Sequence, residues 1–261
     1  MTDAWGHPSA AGPPRRQGLS PRTTIWIIAG VALVAVLIRT HKITTFEILF
    51  YCALVPSVIL HEVSHGAAAL AFGDDTAKRA GRLTLNPIKH IDPFGTIILP
   101  VLLILSGAPG VIGYAKPVPV NVSRLRNSRN TSVVVSLVGP AVNIALAVLL
   151  GLAFTTFITD PQMRLDAAAG VGPVWAQLLF VAGYVNVILA AFNLIPLPPL
   201  DGSAVLERFL PTSLLPGYYR IRPFTMFIPL IIVVLRPSAL SSVFDWALTH
   251  YASAIGVPIN G

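Results

Sequence analysis

The chain has 261 residues, of which 54% are hydrophobic and 11% are charged, and its formal net charge is +7. A soluble domain usually has about a quarter of its residues charged and cannot hide this much apolar surface, so an ordinary soluble protein is excluded. The basic residues stand in short blocks between apolar runs, which indicates membrane orientation rather than nucleic-acid binding. The single cysteine, Cys52, excludes an internal disulfide framework and a cysteine-rich metal site.

Residues 1–22 are rich in proline and glycine and predict a disordered cytoplasmic tail. The apolar run at 24–38 ends at Arg39 without the small-residue pattern of a cleavage site, which favours a retained membrane anchor over a signal peptide. We therefore expect a single membrane domain over residues 23–261, with its core at about 46–210.

Further apolar runs follow along the rest of the chain. A helix that crosses a membrane needs about 20 apolar residues, and three of the runs meet that length comfortably. The sequence therefore predicts an all-α polytopic membrane protein with about five to six transmembrane helices. The complete set of runs is 24–38, 46–72, 94–112, 132–158, 174–197, 224–235 and a weaker one at 239–257.

The basic residues also predict the orientation. If the N-terminus is cytoplasmic, the loop at 73–92 is cytoplasmic after two crossings. A single crossing by 94–112 would then place the basic segment 113–131 outside, against the positive-inside tendency. Prolines and glycines interrupt 94–112, so we expect a re-entrant segment that returns to the cytoplasmic side. On this topology all of the 18 lysines and arginines are cytoplasmic except Arg39, Lys42, Arg164 and Arg236.

The motif His61-Glu62-Val63-Ser64-His65 lies inside an apolar run. Positions i and i+4 share one face of a helix, so both imidazoles can bind one metal ion. Glu62 projects beside them and can take a proton from water. Ionisable groups inside a membrane segment are costly and indicate function. We predict a zinc site with His61 and His65 as ligands and Glu62 as the catalytic residue. A pair of hydrogen-bonded structural histidines is the alternative.

A catalytic zinc site usually has three protein ligands, so a third ligand is expected elsewhere in the chain. Asp201 is the candidate, because it follows the proline-rich segment 193–200 and lies on the same predicted side of the membrane as His65. The alternative role for Asp201 is the N-cap of a short helix that starts near Ser203. His90 and Asp92 stand near basic residues in a loop, where solvated roles are expected.

Asn143 ends the segment Gly139-Pro140-Ala141-Val142-Asn143, near the cytoplasmic start of the run 132–158. Its amide can donate to a substrate carbonyl or to an oxyanion, as side-chain amides do in acyl transfer. A hydrogen bond between helices, supported by close packing at Gly139, is the alternative. The residue types leave both roles open.

These motifs together resemble the site-2 protease family of intramembrane zinc proteases. The likeness covers about residues 46–210, with HEVSH at 61–65, GPAVN at 139–143 and NLIPLPPLDG at 193–202 in that order. The segments GRLTLNPIKHIDPFG at 81–95 and GYAKPVPVN at 113–121 are similar to the compact bacterial subgroup that lacks a PDZ domain.

The resemblance implies a metalloprotease that hydrolyses peptide bonds within or next to the transmembrane segments of single-span membrane proteins. It implies one zinc ion held by His61, His65 and Asp201, with Glu62 as the catalytic acid and base. A membrane zinc carrier, or a non-catalytic scaffold with the same ligands, is the alternative function.

The resemblance also places Asn143 and Asn193 near the substrate and implies a small membrane-associated β-loop at about 73–92. We expect the protein in the bacterial cell membrane with its active site towards the cytoplasmic side. Its partners are then the lipid bilayer and membrane-anchored substrates, without nucleic acid, and the oligomeric state is left open.

Overall fold

The computed structural model describes residues 44–92, 95, 115–225 and 237–258. Within these residues every regular element is a helix. The α-helices are α1 (Thr45–Ala71), α2 (Thr76–Arg79), α3 (Ser128–Phe157), α4 (Pro161–Ala168), α5 (Val174–Asn193), α6 (Ser203–Phe209), α7 (Leu215–Thr225) and α8 (Pro237–Ala254). Short 3-10 helices cover Pro87–Lys89 and Val122–Arg124.

Three of these helices, α1, α3 and α5, are long and apolar enough to cross a membrane, with 27, 30 and 20 residues. At about 1.5 Å per residue each one reaches the thickness of the hydrocarbon layer, about 30 Å. Lipid offers no hydrogen bonds, so a spanning segment must satisfy its own backbone groups, and a helix does this within one run. The prediction of an all-α membrane protein is confirmed.

The other predicted spans lie mostly outside the described residues. This holds for 24–38, for 94–112 apart from Gly95, and for 224–235 beyond Thr225. The run at 239–257 lies largely in α8, which is not among the three helices that meet the length and hydropathy of a span. The number of five to six transmembrane helices therefore stays a prediction.

Helix α5 is the central helix of the described bundle and packs against α1, α3 and α8. In its most apolar stretch 56% of the residues are buried, against 28% in α1 and in α3. The ring of Phe180 on α5 lies 5.8 Å from the ring of Phe154 on α3 and 5.7 Å from that of Tyr251 on α8. By contrast, Leu149 and Leu152 of α3 are exposed apolar side chains, as contact with lipid requires.

One end of the bundle, here called the basic end, is where α1 ends, α3 begins and α5 ends. The Arg126 amide donates to the Phe72 carbonyl at 3.0 Å, and Arg129 donates to the Arg208 carbonyl at 2.9 Å. Among the described lysines and arginines only Arg164 lies at the opposite end, where it donates to the carbonyls of Thr155 and Ile158 at the end of α3. The basic residues at the basic end are Lys78, Arg79, Arg82, Lys89, Lys116, Arg124, Arg126, Arg129, Arg208, Arg220 and Arg222.

The predicted β-loop at 73–92 is not observed. This stretch is described throughout and forms α2, a 3-10 helix and turns, without a strand. Its amides bond locally, for example Arg82 N to Ala77 O at 3.0 Å and His90 N to Pro87 O at 2.9 Å. A β-ladder needs amides that pair across strands, and these amides already have partners within tight turns.

The chain lies at the basic end both before and after the predicted re-entrant segment. The Lys116 amide donates to the His90 carbonyl at 2.9 Å, so the two flanks of the segment are in contact. A segment that returns to its starting side requires this adjacency. The conformation of 94–112 itself stays a prediction.

Candidate metal centre

His61 and His65 lie one turn apart on the buried side of α1, as their spacing predicts. Asp201 reaches the same point from the loop after α5. Its Oδ2 lies 3.0 Å from His61 Nε2 and 3.3 Å from His65 Nε2, and the two Nε2 atoms are 3.1 Å apart. The structure therefore brings together the three predicted ligands from two distant parts of the sequence.

Both histidines direct their Nδ1 atoms away from this point. His65 Nδ1 lies 2.7 Å from the carbonyl oxygen of Val135, which can only accept a hydrogen bond, so Nδ1 carries the proton. His61 Nδ1 lies 2.6 Å from Oδ1 of Asn143. In the neutral ring a proton on Nδ1 leaves Nε2 with a free lone pair, and both lone pairs face Asp201.

A buried polar network fixes the orientation of Asn143. Asn186 Nδ2 donates to the Ala182 carbonyl at 2.9 Å and to Ser57 Oγ at 2.9 Å, so Asn186 Oδ1 is an acceptor. It receives the Nδ2 hydrogen of Asn143 at 2.8 Å. Asn143 Oδ1 must then be the atom that accepts from His61. The network joins α1, α3 and α5 behind the ligand and sets its tautomer.

The converging atoms form a set that suits a cation. Asp201 Oδ2 is buried and receives no hydrogen bond from any residue in the described part of the chain. It and the two Nε2 lone pairs lie within 4.8 Å of one another. Three electron-rich atoms at this separation repel one another unless a positive charge lies between them. Two imidazole nitrogens and one carboxylate oxygen are the donor set of many catalytic zinc sites, so these residues fit the ion that the sequence predicts.

The loop after α5 places Asp201 at the metal centre rather than at the start of α6. The N-cap position of α6 is Gly202, and no side chain caps this helix. The Gly202 amide donates to the Asn193 carbonyl at 2.7 Å, which folds the loop back onto the end of α5. A Cβ at Gly202 would collide with the carbonyl oxygens of Leu194 and Ile195. Glycine is required beside the ligand because the backbone passes so close.

Glu62 lies half buried next to the two histidines and lines the same cavity as the three ligand residues. Its Oε2 accepts a hydrogen bond from the Val118 amide at 2.8 Å. The cavity has a volume of about 370 Å³ and is also lined by Ser136, Asn193 and Arg222. It offers room for water and for a stretch of peptide beside the carboxylate.

The two predicted substrate residues lie in different surroundings. Asn193 lines the cavity, and its Nδ2 donates to the Leu189 carbonyl at 2.9 Å. Asn143 is fully buried (0% exposed), is not among the lining residues, and uses both amide atoms in the network behind His61. His90 and Asp92 are not part of the metal centre.

Sequence reasoning missed three contributors to this site. Asn186 and Ser57 belong to the network behind His61, and the Val118 amide holds Glu62. Asn186 could have been found, because an amide side chain inside an apolar run has the same cost that singled out Asn143. A backbone amide such as that of Val118 leaves no such signal in the sequence.

Comparison with known proteins gives a consistent result. The profile of peptidase family M50 matches residues 158–235, which include Asp201. YwhC of Bacillus subtilis (strain 168), named as an inferred zinc metalloprotease, is 42% identical over 163 residues, which cover 60% of this chain and 67% of YwhC. Rip2 of Mycolicibacterium smegmatis, with the same kind of name, is 33% identical over 205 residues, which cover 76% of this chain and 74% of Rip2. No solved structure gives a significant match.

A bundle of membrane helices that buries two histidines and holds an aspartate against them, beside a glutamate, defines a membrane-embedded metallopeptidase. The chain belongs to peptidase family M50, the site-2 protease family. The resemblance carried by its motifs is thereby confirmed, as is its assignment as a metalloprotease.

Proposed function

We propose that this protein hydrolyses peptide bonds within or next to the transmembrane segments of single-span proteins anchored in the bacterial cell membrane. The observation that carries the proposal is the position of Glu62 beside three converging ligand atoms, in a cavity at the basic end of a membrane-helix bundle. A carboxylate and a metal site that share one cavity are the two parts that metal-assisted hydrolysis of an amide requires.

In this proposal His61, His65 and Asp201 hold one zinc ion. YwhC and Rip2 carry names that describe inferred zinc metalloproteases, and the donor set agrees with that metal. When bound, zinc supplies Lewis-acid chemistry that polarises a carbonyl and acidifies water. The hydrogen bonds that the imidazoles donate through Nδ1 keep each Nε2 directed at the ion and increase its basicity.

Glu62 acts first as general base and then as general acid. Because the Val118 amide occupies Oε2, Oε1 is the oxygen left to accept the proton of the attacking water. The same carboxyl then gives that proton to the amine nitrogen as the C–N bond of the peptide breaks. Proton transfer by a positioned side chain contributes about 10²- to 10⁴-fold to the rate.

Asn193 contributes to substrate binding in this proposal, since its side chain forms part of the cavity wall. A substrate-binding role for Asn143 stays a prediction, and the contacts of Asn143 support a role through His61. These two asparagines therefore differ in what their removal should affect, which is substrate affinity for Asn193 and metal affinity for Asn143.

We infer that the cavity opens towards the cytoplasm. Lysine and arginine accumulate on the cytoplasmic side of membrane proteins, and eleven of the twelve described basic residues lie at the basic end. His65 is six residues from Ala71, the last residue of α1 at that end, or roughly 9 Å at helical rise. Water can reach the site over this short distance.

The decisive experiment uses Glu62→Gln, which removes the base and keeps the shape of the side chain. Full-length protein in detergent should keep equimolar zinc, measured by elemental analysis, and lose cleavage of fluorescein-labelled casein by about 10²- to 10⁴-fold. Membranes of cells that carry this variant should accumulate uncut single-span proteins in comparative proteomics.

Glu47→Gln is the matched control, because Glu47 lies at the other end of the same helix. Its activity and zinc content should equal those of the wild type. Unchanged cleavage by Glu62→Gln would contradict the proposed mechanism. Zinc transport that persists in Glu62→Gln would favour a carrier.

A further inference from the structure

Residues 115–121 form a segment, here called the strap, that passes the carboxylate of Glu62. Its sequence is Ala-Lys-Pro-Val-Pro-Val-Asn, and neither helix nor strand is assigned to it. Proline fixes its own φ near −65° and favours extended backbone in the residue before it, so Pro117 and Pro119 favour an extended strap before any tertiary contact forms. Less chain entropy is then lost when the strap docks.

The Val118 amide is the only backbone N–H in residues 117–119, because proline has none. That amide donates to Glu62 Oε2 at 2.8 Å. The Val118 side chain is 7% exposed, and it packs so closely on Gly66 that a Cβ there would lie 2.9 Å from Val118 Cγ1. The strap thus contacts α1 at Glu62, before His65 in the sequence, and at Gly66, directly after it.

A buried arginine holds the first half of the strap. Arg82 is 8% exposed, and its Nη2 donates to the carbonyl oxygens of Lys116 at 2.7 Å and Pro117 at 3.2 Å. Its Nη1 donates to the Lys89 carbonyl. The Lys116 amide in turn donates to the His90 carbonyl at 2.9 Å. The backbone directly before Val118 is fixed by these bonds.

A buried aspartate holds the other end of the strap. Asp74 is 0% exposed, and its Oδ2 accepts from the Asn121 amide at 2.6 Å. Its Oδ1 accepts from the amide of Thr76 at 3.0 Å and from the hydroxyl at 2.5 Å. The carboxylate therefore ties the end of the strap to the turn that follows α1.

Neither Arg82 nor Asp74 forms an ion pair with another residue in the described part of the chain. Burial of a charge without a charged partner costs free energy, so such residues are inefficient as simple stabilisers. Both charges instead bind backbone groups, one on each side of Val118. The two contacts restrict where the Val118 amide can lie.

We propose that Arg82 and Asp74 are positioning residues for catalysis. They hold the strap so that the Val118 amide fixes the Glu62 carboxylate by Oε2, with Oε1 turned to the water that attacks the substrate. This inference rests on the proposed role of Glu62 as general base. A loose carboxylate would spend less time at the distance that proton transfer requires.

Three variants test the positioning role with full-length protein, zinc content and fluorescein-labelled casein as substrate. Arg82→Ala and Asp74→Asn release the two ends of the strap, and Val118→Pro removes the donated N–H while the backbone stays extended. Each should lower kcat by about 10- to 100-fold, with KM and zinc content close to wild type. Arg82→Lys, which can still donate to the same carbonyls, should recover part of the loss.

Exposed neighbours supply matched controls. Arg79 and Asp75 stand close to Arg82 and Asp74 in the sequence and pair with each other on the surface, with 58% and 43% of their side chains exposed. Surface ion pairs contribute little, so Arg79→Ala and Asp75→Asn should leave kcat unchanged.

Several outcomes would overturn the positioning role. An unchanged or raised kcat in Val118→Pro contradicts it, and the raised value would show that the amide restrains Glu62 instead. Loss of zinc in parallel with activity, or a change in KM alone, would assign Arg82 and Asp74 to folding or to substrate binding. If Arg82→Ala does not fold, Val118→Pro decides. Loss of activity in Glu62→Gln together with a normal kcat in all three strap variants would contradict the positioning role of Arg82 and Asp74. The proposed function would still stand.

Discussion

Gly139 lies where α3 crosses the two histidines of α1. A Cβ at this position would collide with ring atoms of both His61 and His65. Only glycine lets α3 come close enough for Val135 and Asn143 to accept hydrogen bonds from the two imidazoles. The first residue of the GPAVN motif therefore sets the spacing between the ligand helix and the helix that orients the ligands.

Gly139→Ala should lower the zinc content of the purified protein and its activity together, because the added methyl group displaces both rings. Gly217→Ala in α7 is the control, since a Cβ there meets nothing within 4 Å and zinc should be retained. Elemental analysis of both variants checks the expectation. Full zinc occupancy in Gly139→Ala would show that the helices can separate without disturbing the ligands.

Asn143→Ala should weaken zinc binding by about 10- to 100-fold, as the loss of an outer partner of a ligating histidine does. The variant leaves a buried N–H of His61 without its acceptor, which also costs about 1–3 kcal/mol. Zinc affinity is measured by competition with a chelator of known affinity. A raised KM with unchanged zinc affinity would instead support the predicted contact of Asn143 with the substrate. Asn193→Ala should show that second pattern.

At the scale of elements, one especially close contact forms where α8 packs on the central helix α5. The Tyr251 hydroxyl fits against Gly183 of α5, where a Cβ would collide with it. This hydroxyl is buried and has no hydrogen-bond partner among the residues that the structure describes. At this contact shape, rather than hydrogen bonding, fits the two helices together, and the Tyr184 hydroxyl of α5 adds a hydrogen bond to the Phe244 carbonyl of α8 at 3.3 Å.

Gly183→Ala should lower the melting temperature, because the new methyl group forces Tyr251 out of its place. Tyr251→Phe removes the colliding oxygen and should be close to neutral alone, since the hydroxyl bonds to none of the described residues. The double variant should recover part of the stability lost in Gly183→Ala. Thermal unfolding of the four proteins in detergent forms a double-mutant cycle, and strictly additive effects would contradict the proposed contact.

At the scale of the whole molecule, the metal centre links α1, α3 and the loop after α5. Ligand atoms that repel one another in the absence of a cation should make the apoprotein less stable. A ligand present at about 100 times its dissociation constant stabilises a fold by about 2.7 kcal/mol. We therefore expect an ion bound at this site to contribute to the stability of the bundle as well as to its chemistry.

Removal of zinc by a chelator should lower the melting temperature by several degrees, and added zinc should restore it. Asp201→Asn weakens the site, so the chelator should have a much smaller effect on this variant. Differential scanning fluorimetry in detergent measures both shifts. An equal effect of the chelator on wild type and Asp201→Asn would place the stabilising metal elsewhere.

Much of the site follows from local patterns in the sequence. The spacing of His61 and His65 puts both imidazoles on one helical face, and the cost of ionisable groups in a membrane segment makes the pair conspicuous. The proline-rich segment before Asp201 ends α5, which leaves that carboxylate on a loop at the same end of the bundle as His65. Each of these inferences needs only chain periodicity and the chemistry of single residues.

The sequence by itself therefore determined the helical membrane fold, and it predicted the three residues that the structure brings together and the carboxylate beside them. Only the tertiary structure decided that 73–92 folds into turns and that Asn143 contacts His61. It also decided that the Val118 amide holds Glu62. The physical reason is that these features depend on where helices cross and which backbone groups meet. The bond between His61 and Asn143 spans 82 residues, and the bond between Val118 and Glu62 spans 56 residues. Local periodicity carries no information about contacts over such distances.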